Sequence, residues 1–591
     1  MKDFIKYNVP IKNIDDLPSY PIPILKDTLD RFLGWVEPLV SSVEFEKAKK
    51  TVEEFLITGD SKKLEEKIQE LGNREEDSWI YDYWVKSHLL VRAPLTPHTN
   101  VPIIYENQKL LKFEVLERIA ILMHSAAVVY KDFKENGAGE YWIKNKRYSS
   151  DEFHGLLASI NDIKEGMDEY YINDECSECI VFSYKNHLYN VQVIRDKNVV
   201  SVGEIVNTLK NIVSNTMESL VPNANYVTVG VDRDEAGKVL GEILINDKNQ
   251  KEYQKIKDAI LVMNYDDIEI NGVYEELDNA SYNREDVNRW HGKGFQFSCT
   301  KNGVFSFIAD HCFVDGGTEV YFINKLKKYI EETTFSFEEL TSNNIAEEIT
   351  FDLSEDIKEA LLDLKEGFDK CMDSFEARYV DFDGLSREVL KEKGILSGDG
   401  FIHLAFQVAQ YMTYESIKNT YISVDARRFF RGRTESNRPV SKESVSFAKE
   451  FLKKEKSKTE LYQMMKEALD EHHRRVKLCQ SGQGVNRYLY VLESVYKDYG
   501  KEMGIVEKPD LFNTEAFKVI GDNHLSTTSF GHPDMKYLYF PPVQEQGFGI
   551  YYYVGPKSFM IITAYKEDLE TMNKMIANLQ ECINGMLELN E

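Results

Sequence analysis

The chain has 591 residues, too many for one ordinary hydrophobic core, so two or more domains are expected. Hydrophobic residues make up 42% and aromatic residues 12%, which excludes a disordered or low-complexity chain. A net charge of −27 excludes nucleic-acid or anionic-membrane binding through the overall field, so any anionic ligand must meet a local basic cluster.

The N-terminus, Met1-Lys2-Asp3-Phe4, lacks an apolar signal core, and no stretch approaches the ~20 apolar residues of a membrane span. The C-terminal Leu589-Asn590-Glu591 carries no peroxisomal address. The seven cysteines, Cys176, Cys179, Cys299, Cys312, Cys371, Cys479 and Cys582, form no framework, and Cys176-x-x-Cys179 lacks the second pair a zinc site needs. A soluble protein in the reducing cytoplasm is expected.

In chain order the first elements are helical. Phe45, Ala48, Val52, Phe55 and Leu56 make one face ending at Gly59, and Leu64, Ile68 and Leu71 make another after Ser61. Helices are expected over 78–90 and 113–129, then strands over 179–184 and 188–194 around the turn Lys185-Asn186-His187. Residues 304–309 are β-prone, too short for an ordinary helix, and entered from the turn Lys301-Asn302-Gly303.

His311 leaves that strand where loops gather, with Asp315 four residues on and the glycines Gly316-Gly317 allowing close approach. An unperturbed imidazole titrates near pH 6.5, so a histidine there can exchange a proton at neutral pH. By itself the pattern fits a surface or core histidine better than a catalytic one. Beyond it come a helix over 319–331, a charge-rich linker over 338–370 and a long helix over 401–418. Strands are expected over 536–540, 549–554 and 559–565, with a final helix over 569–587. Strands interleaved with helices imply α/β layers.

Seven blocks carry a resemblance. They are Leu17-Pro18-Ser19-Tyr20-Pro21; Asn288-Arg289-Trp290-His291-Gly292-Lys293 with His311-x-x-x-Asp315-Gly316; Thr420-Tyr421; Gly432-Arg433-Thr434-Glu435; Asn486-Arg487-Tyr488-Leu489; Leu525-Ser526-Thr527-Thr528; and Gly547-Phe548-Gly549. In order and spacing the chain resembles the choline/carnitine O-acyltransferase family. The resemblance implies an α/β fold of two chloramphenicol-acetyltransferase-like domains, each a mixed β-sheet flanked by helices. One domain would span 76–354 and carry the histidine. Residues 1–75 and 355–591 would form the other, with most acceptor- and coenzyme A-binding segments.

The same resemblance implies a carnitine O-acyltransferase of fatty acid metabolism, with carnitine and acyl-CoA as substrates. Coenzyme A would be a cosubstrate, with no tightly bound cofactor, no metal, no nucleic acid and no membrane partner, and the protein a monomer. His311 would be the general base in a ternary complex without an acyl-enzyme; no nucleophile elbow of the G-x-S-x-G kind is present. Asp315 would pair with Arg433. Ser526 and Thr528 would donate to the oxyanion, with Ser529 as the alternative to Thr528, since Thr528 stands where the family has serine.

For the acceptor, Arg487 matches the arginine that grips the carnitine carboxylate, where choline enzymes carry a neutral residue; Thr434 and Tyr421 complete that site. Phe540 and Val543 would lie against the trimethylammonium group. Arg387 and Lys391 match the phosphate-binding stretch for coenzyme A, with Lys393 as an alternative ligand and Asp399 reached in register only by a one-residue insertion. Leu538 falls at the gate of the acyl pocket, which implies short acyl groups. An acyltransferase acting on choline or another amino alcohol, and a non-catalytic coenzyme A or acylcarnitine binder, are the rival readings.

Overall fold

A computed structural model describes residues 5–6, 17–72, 78–219, 221–338 and 345–590, the first pair by backbone alone. Met1-Lys2-Asp3-Phe4, Glu591 and the expected domain boundary at 75/76 lie outside the described residues. The chain forms two compact units. The first comprises Met1–Asp15, Trp84–Ser374 and Gly531–Phe540; the second comprises Asp16–Tyr83, Phe375–Phe530 and Pro541–Glu591.

The first unit is built on an eight-stranded mixed sheet, in the order Ala346–Ile349, His187–Gln192, Cys179–Tyr184, Val262–Asp266, Phe295–Thr300, Phe305–Ala309, Ile103–Tyr105 and Met535–Leu538. Val262–Asp266 runs parallel to both its neighbours; the other pairs are antiparallel. Phe295–Thr300 and Phe305–Ala309 are buried at every position, as expected of strands covered on both faces. Helix Val115–Asn136 packs against Val202–Asn215 and Gly316–Glu332. Its start is a capping box between Glu114 and Glu117, and Gly137 with φ of 79° follows its end.

Two local expectations are corrected. Residues 338–370 are no linker: Ala346–Ile349 pairs antiparallel with His187–Gln192, and helix Glu355–Met372 follows. That helix buries Leu361, Leu364, Phe368 and Met372 at spacings of three and four, so its many charges are simply the solvated face of an amphipathic helix. Residues 339–344 of the stretch lie outside the described residues. The long helix over 401–418 runs instead from Gly398 to Tyr414. Ser397 accepts the Gly400 N–H at its start, and Glu415 takes the left-handed conformation at φ of 58° that closes its end.

The units also divide differently from the expected 76–354 and 355–591. Helix Glu355–Met372 falls in the first unit, and Gly531–Phe540 from late in the chain supplies that unit's edge strand.

The second unit carries a six-stranded mixed sheet, ordered Phe375–Asp381, Phe559–Tyr565, Phe548–Tyr553, Leu525–Thr528, Thr420–Asp425 and Thr434–Asn437. Leu525, Phe548, Ile550 and Ile562 pack into one core with helices Gly398–Tyr414 and Leu569–Leu587. Helices Ser42–Ile57 and Gly59–Gly72 bury the stripes read from sequence, notably Ala48, Val52, Phe55, Leu64 and Ile68, and a further helix, Leu25–Val36, precedes them. They pack on Glu515–Gly521 and Asn486–Tyr499 of the same unit. All seven cysteines are unpaired thiols, and no helix among the described residues is long and apolar enough to cross a membrane.

Candidate active site

In the first unit the buried strand Phe305–Ala309 delivers Asp310 and His311 at its C-terminal end. The His311 backbone N–H donates to Asn100 Oδ1 at 3.0 Å, and Asn100 Nδ2 donates to Asp310 Oδ2 at 2.8 Å. One asparagine therefore fixes the chain on both sides of the Asp310–His311 bond. Asp310 also accepts the Cys312 N–H at 3.1 Å. Burial pushes its carboxyl up to about 6 while these donors pull the other way.

The His311 ring is set by its own loop. Nδ1 lies 2.7 Å from the Val314 carbonyl oxygen, an atom that can only accept, so the proton resides on Nδ1. In the neutral ring Nε2 then carries the lone pair, the form a general base requires. Asp315 Oδ1 stands 3.6 Å from Nδ1, and the His88 ring meets the His311 ring edge-on at 5.3 Å. The imidazole is 38% exposed, against 6% for Asp315.

Asp315 is itself fixed from below. Its N–H donates to Glu152 Oε2 at 2.9 Å, as does the Thr318 hydroxyl at 2.6 Å. Glu319, one turn into helix Gly316–Glu332, is pushed up to about 8 by burial and by the charge of Asp315.

The remaining first-unit candidates, Leu538 and Phe540, are both buried. Leu538 ends strand Met535–Leu538 opposite Ile103, after a register shift in the pairing.

In the second unit Thr434 and Arg487 are brought together. Arg487 opens helix Asn486–Tyr499; its Nε donates to the Thr434 carbonyl at 3.0 Å and Nη2 to Thr434 Oγ1 at 3.3 Å. Its backbone N–H donates to Glu435 Oε1 at 3.2 Å, which also accepts the Ser436 N–H at 2.7 Å. Burial raises the Glu435 carboxyl, and Arg487 is the strongest opposing influence.

Arg433 is buried with φ of 52°, and a Cβ on the preceding Gly432 would sit 2.1 Å from the Ala426 carbonyl oxygen. That turn admits only glycine at 432.

Strand pleating sorts the Leu525–Thr528 side chains. Leu525 and Thr527 face the helical core, with the Thr527 hydroxyl 2.9 Å from His403 Nε2. Ser526 and Thr528 therefore share the opposite face. Ser526 pairs with Tyr421 on one side and Gly549 on the other, while Thr528 pairs with Tyr551. Ser529 lies beyond the strand end and is exposed. Val543 is likewise exposed.

The expected phosphate ligands part company. Arg387 and Lys391 are exposed and four residues apart on helix Arg387–Glu392, hence on one face. Lys393 follows that helix, half-buried, and its carbonyl accepts from Tyr462 Oη and from Asn590 Nδ2, each at 2.8 Å. Asp399, its side chain 41% exposed, is engaged within the unit's own network: its carboxylate accepts from His472 Nε2 at 2.7 Å and from the Tyr552 hydroxyl. Sequence reasoning missed Asn100, Asp310, Glu152 and His403. Of these only Asp310, adjoining His311, carried a local signal.

The Choline/Carnitine o-acyltransferase family profile matches residues 20–581. The chain is 28% identical over 584 residues to a Mycoplasma pneumoniae protein named "Putative acetyltransferase", covering 98% of this chain and 95% of that one. It is 27% identical over 622 residues to mitochondrial carnitine O-palmitoyltransferase 2 of Bos taurus, covering 97% and 93%. It is 24% identical over 602 residues to choline O-acetyltransferase of Gallus gallus, covering 97% and 92%.

Proposed function

The chain belongs to the choline/carnitine O-acyltransferase family, and on that premise we propose that it transfers a short acyl group reversibly between coenzyme A and the hydroxyl of carnitine. The observation that carries the choice of acceptor is the buried Arg487 guanidinium held edge-on against Thr434. A planar fork beside a hydroxyl matches a carboxylate, which carnitine has and choline lacks.

In this reading His311 Nε2 takes the proton of the carnitine hydroxyl as its oxygen attacks the thioester carbonyl. The tetrahedral oxyanion accepts hydrogen bonds from Ser526 and Thr528, whose shared strand face favours Thr528 over Ser529 for that role. Collapse expels the coenzyme A thiolate, which recovers the proton from His311. Arg387 and Lys391, exposed on one helical face, suit the phosphates of coenzyme A; Asp399, bonded to His472 and Tyr552, acts as a structural carboxylate.

The test is release of free thiol from acetyl-CoA. Wild type should turn over with L-carnitine and far more slowly with choline. His311→Ala should lose at least ~10²–10⁴-fold in kcat while still binding coenzyme A. Equal rates with choline would favour an amino-alcohol acyltransferase, and His311→Ala activity within a few-fold of wild type would remove the base.

A further inference from the structure

Behind the sheet of the second unit, His403 has 1% of its surface exposed and touches the strand that bears Ser526 and Thr528. It sits in helix Gly398–Tyr414, where its Nδ1 lies 2.8 Å from the Asp399 carbonyl one turn back. That oxygen can only accept, so Nδ1 holds the proton and Nε2 offers a lone pair. Burial pulls the imidazole down to about 4 against the attraction of Asp399, which keeps it neutral at physiological pH.

The Thr527 hydroxyl lies 2.9 Å from His403 Nε2 and 2.8 Å from the Tyr421 carbonyl of the neighbouring strand. One hydroxyl proton thus faces two acceptors, one in the helix behind and one in the strand beside. A β-branched side chain has few χ1 choices, and a hydroxyl whose single proton is shared between two acceptors has fewer. Fixing Thr527 fixes the peptide planes on either side of it, and those planes aim Ser526 and Thr528 from the opposite face.

The histidine is in turn braced from each element around it. His472 of helix Lys458–Gln480 stacks on its ring at 5.7 Å, and Tyr552 of strand Phe548–Tyr553 meets it edge-on at 5.1 Å. Both residues donate to Asp399, whose carboxylate Oδ1 lies 3.5 Å from His403 Nδ1. A core position needing only volume would be filled more cheaply by an apolar side chain, because a buried imidazole costs free energy unless both nitrogens are bonded.

We infer that His403 is a positioning residue, which through the Thr527 hydroxyl sets the strand Leu525–Thr528 in the geometry that aims Ser526 and Thr528. The inference rests on the oxyanion reading of those two residues. His403 itself touches no reacting atom, so losing it should slow the chemical step and leave substrate binding alone.

The experiment compares wild type, His403→Leu, His403→Gln, Thr527→Val and the double variant His403→Leu/Thr527→Val, measuring thiol release and thermal midpoint. His403→Leu and Thr527→Val should each lower kcat by about tenfold or more, with KM for acetyl-CoA and carnitine within about twofold of wild type. The double variant should be no slower than the slower single, because both remove one link. His403→Gln, whose amide can bond Thr527, should return to within about threefold of wild type. Thr527→Val keeps the side-chain shape and decides the matter should His403→Leu fail to fold.

Wild-type kcat in Thr527→Val, losses that multiply in the double variant, or a glutamine no better than leucine would each overturn the positioning role. A wild type that releases no thiol overturns the acyl-transfer reading, and the inference with it.

Discussion

Replacing Arg487 by asparagine separates recognition of the acceptor from support of the fold. The guanidinium is buried and makes bonds of 3.0 and 3.3 Å to Thr434. Asparagine is neutral and too short to reproduce them. A hydrogen bond to a charged group contributes about 1.5–3 kcal/mol, and a bidentate carboxylate contact has two. Losing 3–4 kcal/mol of that contact, on the order of what a partly solvated pair provides, raises KM for carnitine by about 10²–10³-fold. Choline has no carboxylate, so its kinetics should move by less than about threefold.

The same substitution removes the cation that most opposes the upward shift of Glu435. Burial already raises the Glu435 carboxyl above its unfolded value, so its contribution to stability is fully present at low pH and lost as pH rises through the folded value. Without Arg487 the folded value climbs further. The variant should therefore melt below wild type at pH 7 and recover part of the difference towards pH 5. Thiol release with L-carnitine and with choline, alongside melting at both pH values, reads the two effects apart. Equal changes for carnitine and choline would show that Arg487 serves Glu435 and not the acceptor.

Two further outcomes are expected. Leu538→Gly should shift kcat/KM from acetyl-CoA towards hexanoyl- and decanoyl-CoA, each accommodated methylene gaining up to ~0.8 kcal/mol, while the loss of a buried leucine lowers stability by about 3–5 kcal/mol; an unchanged ranking, or a wild type already preferring decanoyl-CoA, would remove Leu538 from the gate. Glu319→Gln should flatten the pH dependence of stability. With a folded value of about 8 set by burial and Asp315, Glu319 contributes stability below its unfolded value that drains away at ~1.4 kcal/mol per pH unit up to pH 8, and parallel melting of both proteins from pH 5 to 8 would refute it.

Local periodicity made much of the fold legible. The final helix Leu569–Leu587 and the strand Phe559–Tyr565 were readable to their last residues, because each is a run of one period with turn residues at its ends. Charge misled where periodicity was diluted, as in Glu355–Met372, whose four buried residues are outnumbered by solvated ones. The edge strand Met535–Leu538 looked like any strand, yet nothing in its residues says that it completes the first unit's sheet beside Ile103–Tyr105. Partner choice among strands is decided by long-range packing, which a window of residues does not contain.

The site divides along the same line. Residue types told which groups could do chemistry; the structure shows which hydrogen bonds each of them makes. Thr434 and Arg487 are 53 positions apart and His311 and Asn100 are 211 apart, so their hydrogen bonds leave no mark on either neighbourhood.

Asp399 shows why that matters in a chain with net charge −27. Read by position, it stood among the phosphate contacts, where a carboxylate would repel the ligand. Folded, it accepts from His472 and Tyr552 although 41% of its side chain is exposed, so part of its charge is compensated by the network around His403. Arg387 and Lys391 are left to present positive charge on the surface of their helix. On the proposed reading, an acidic protein would meet the phosphates of coenzyme A by compensating one carboxylate with its own donors as well as by placing two cations nearby, because at a local site the nearest charges outweigh the screened sum of the distant ones.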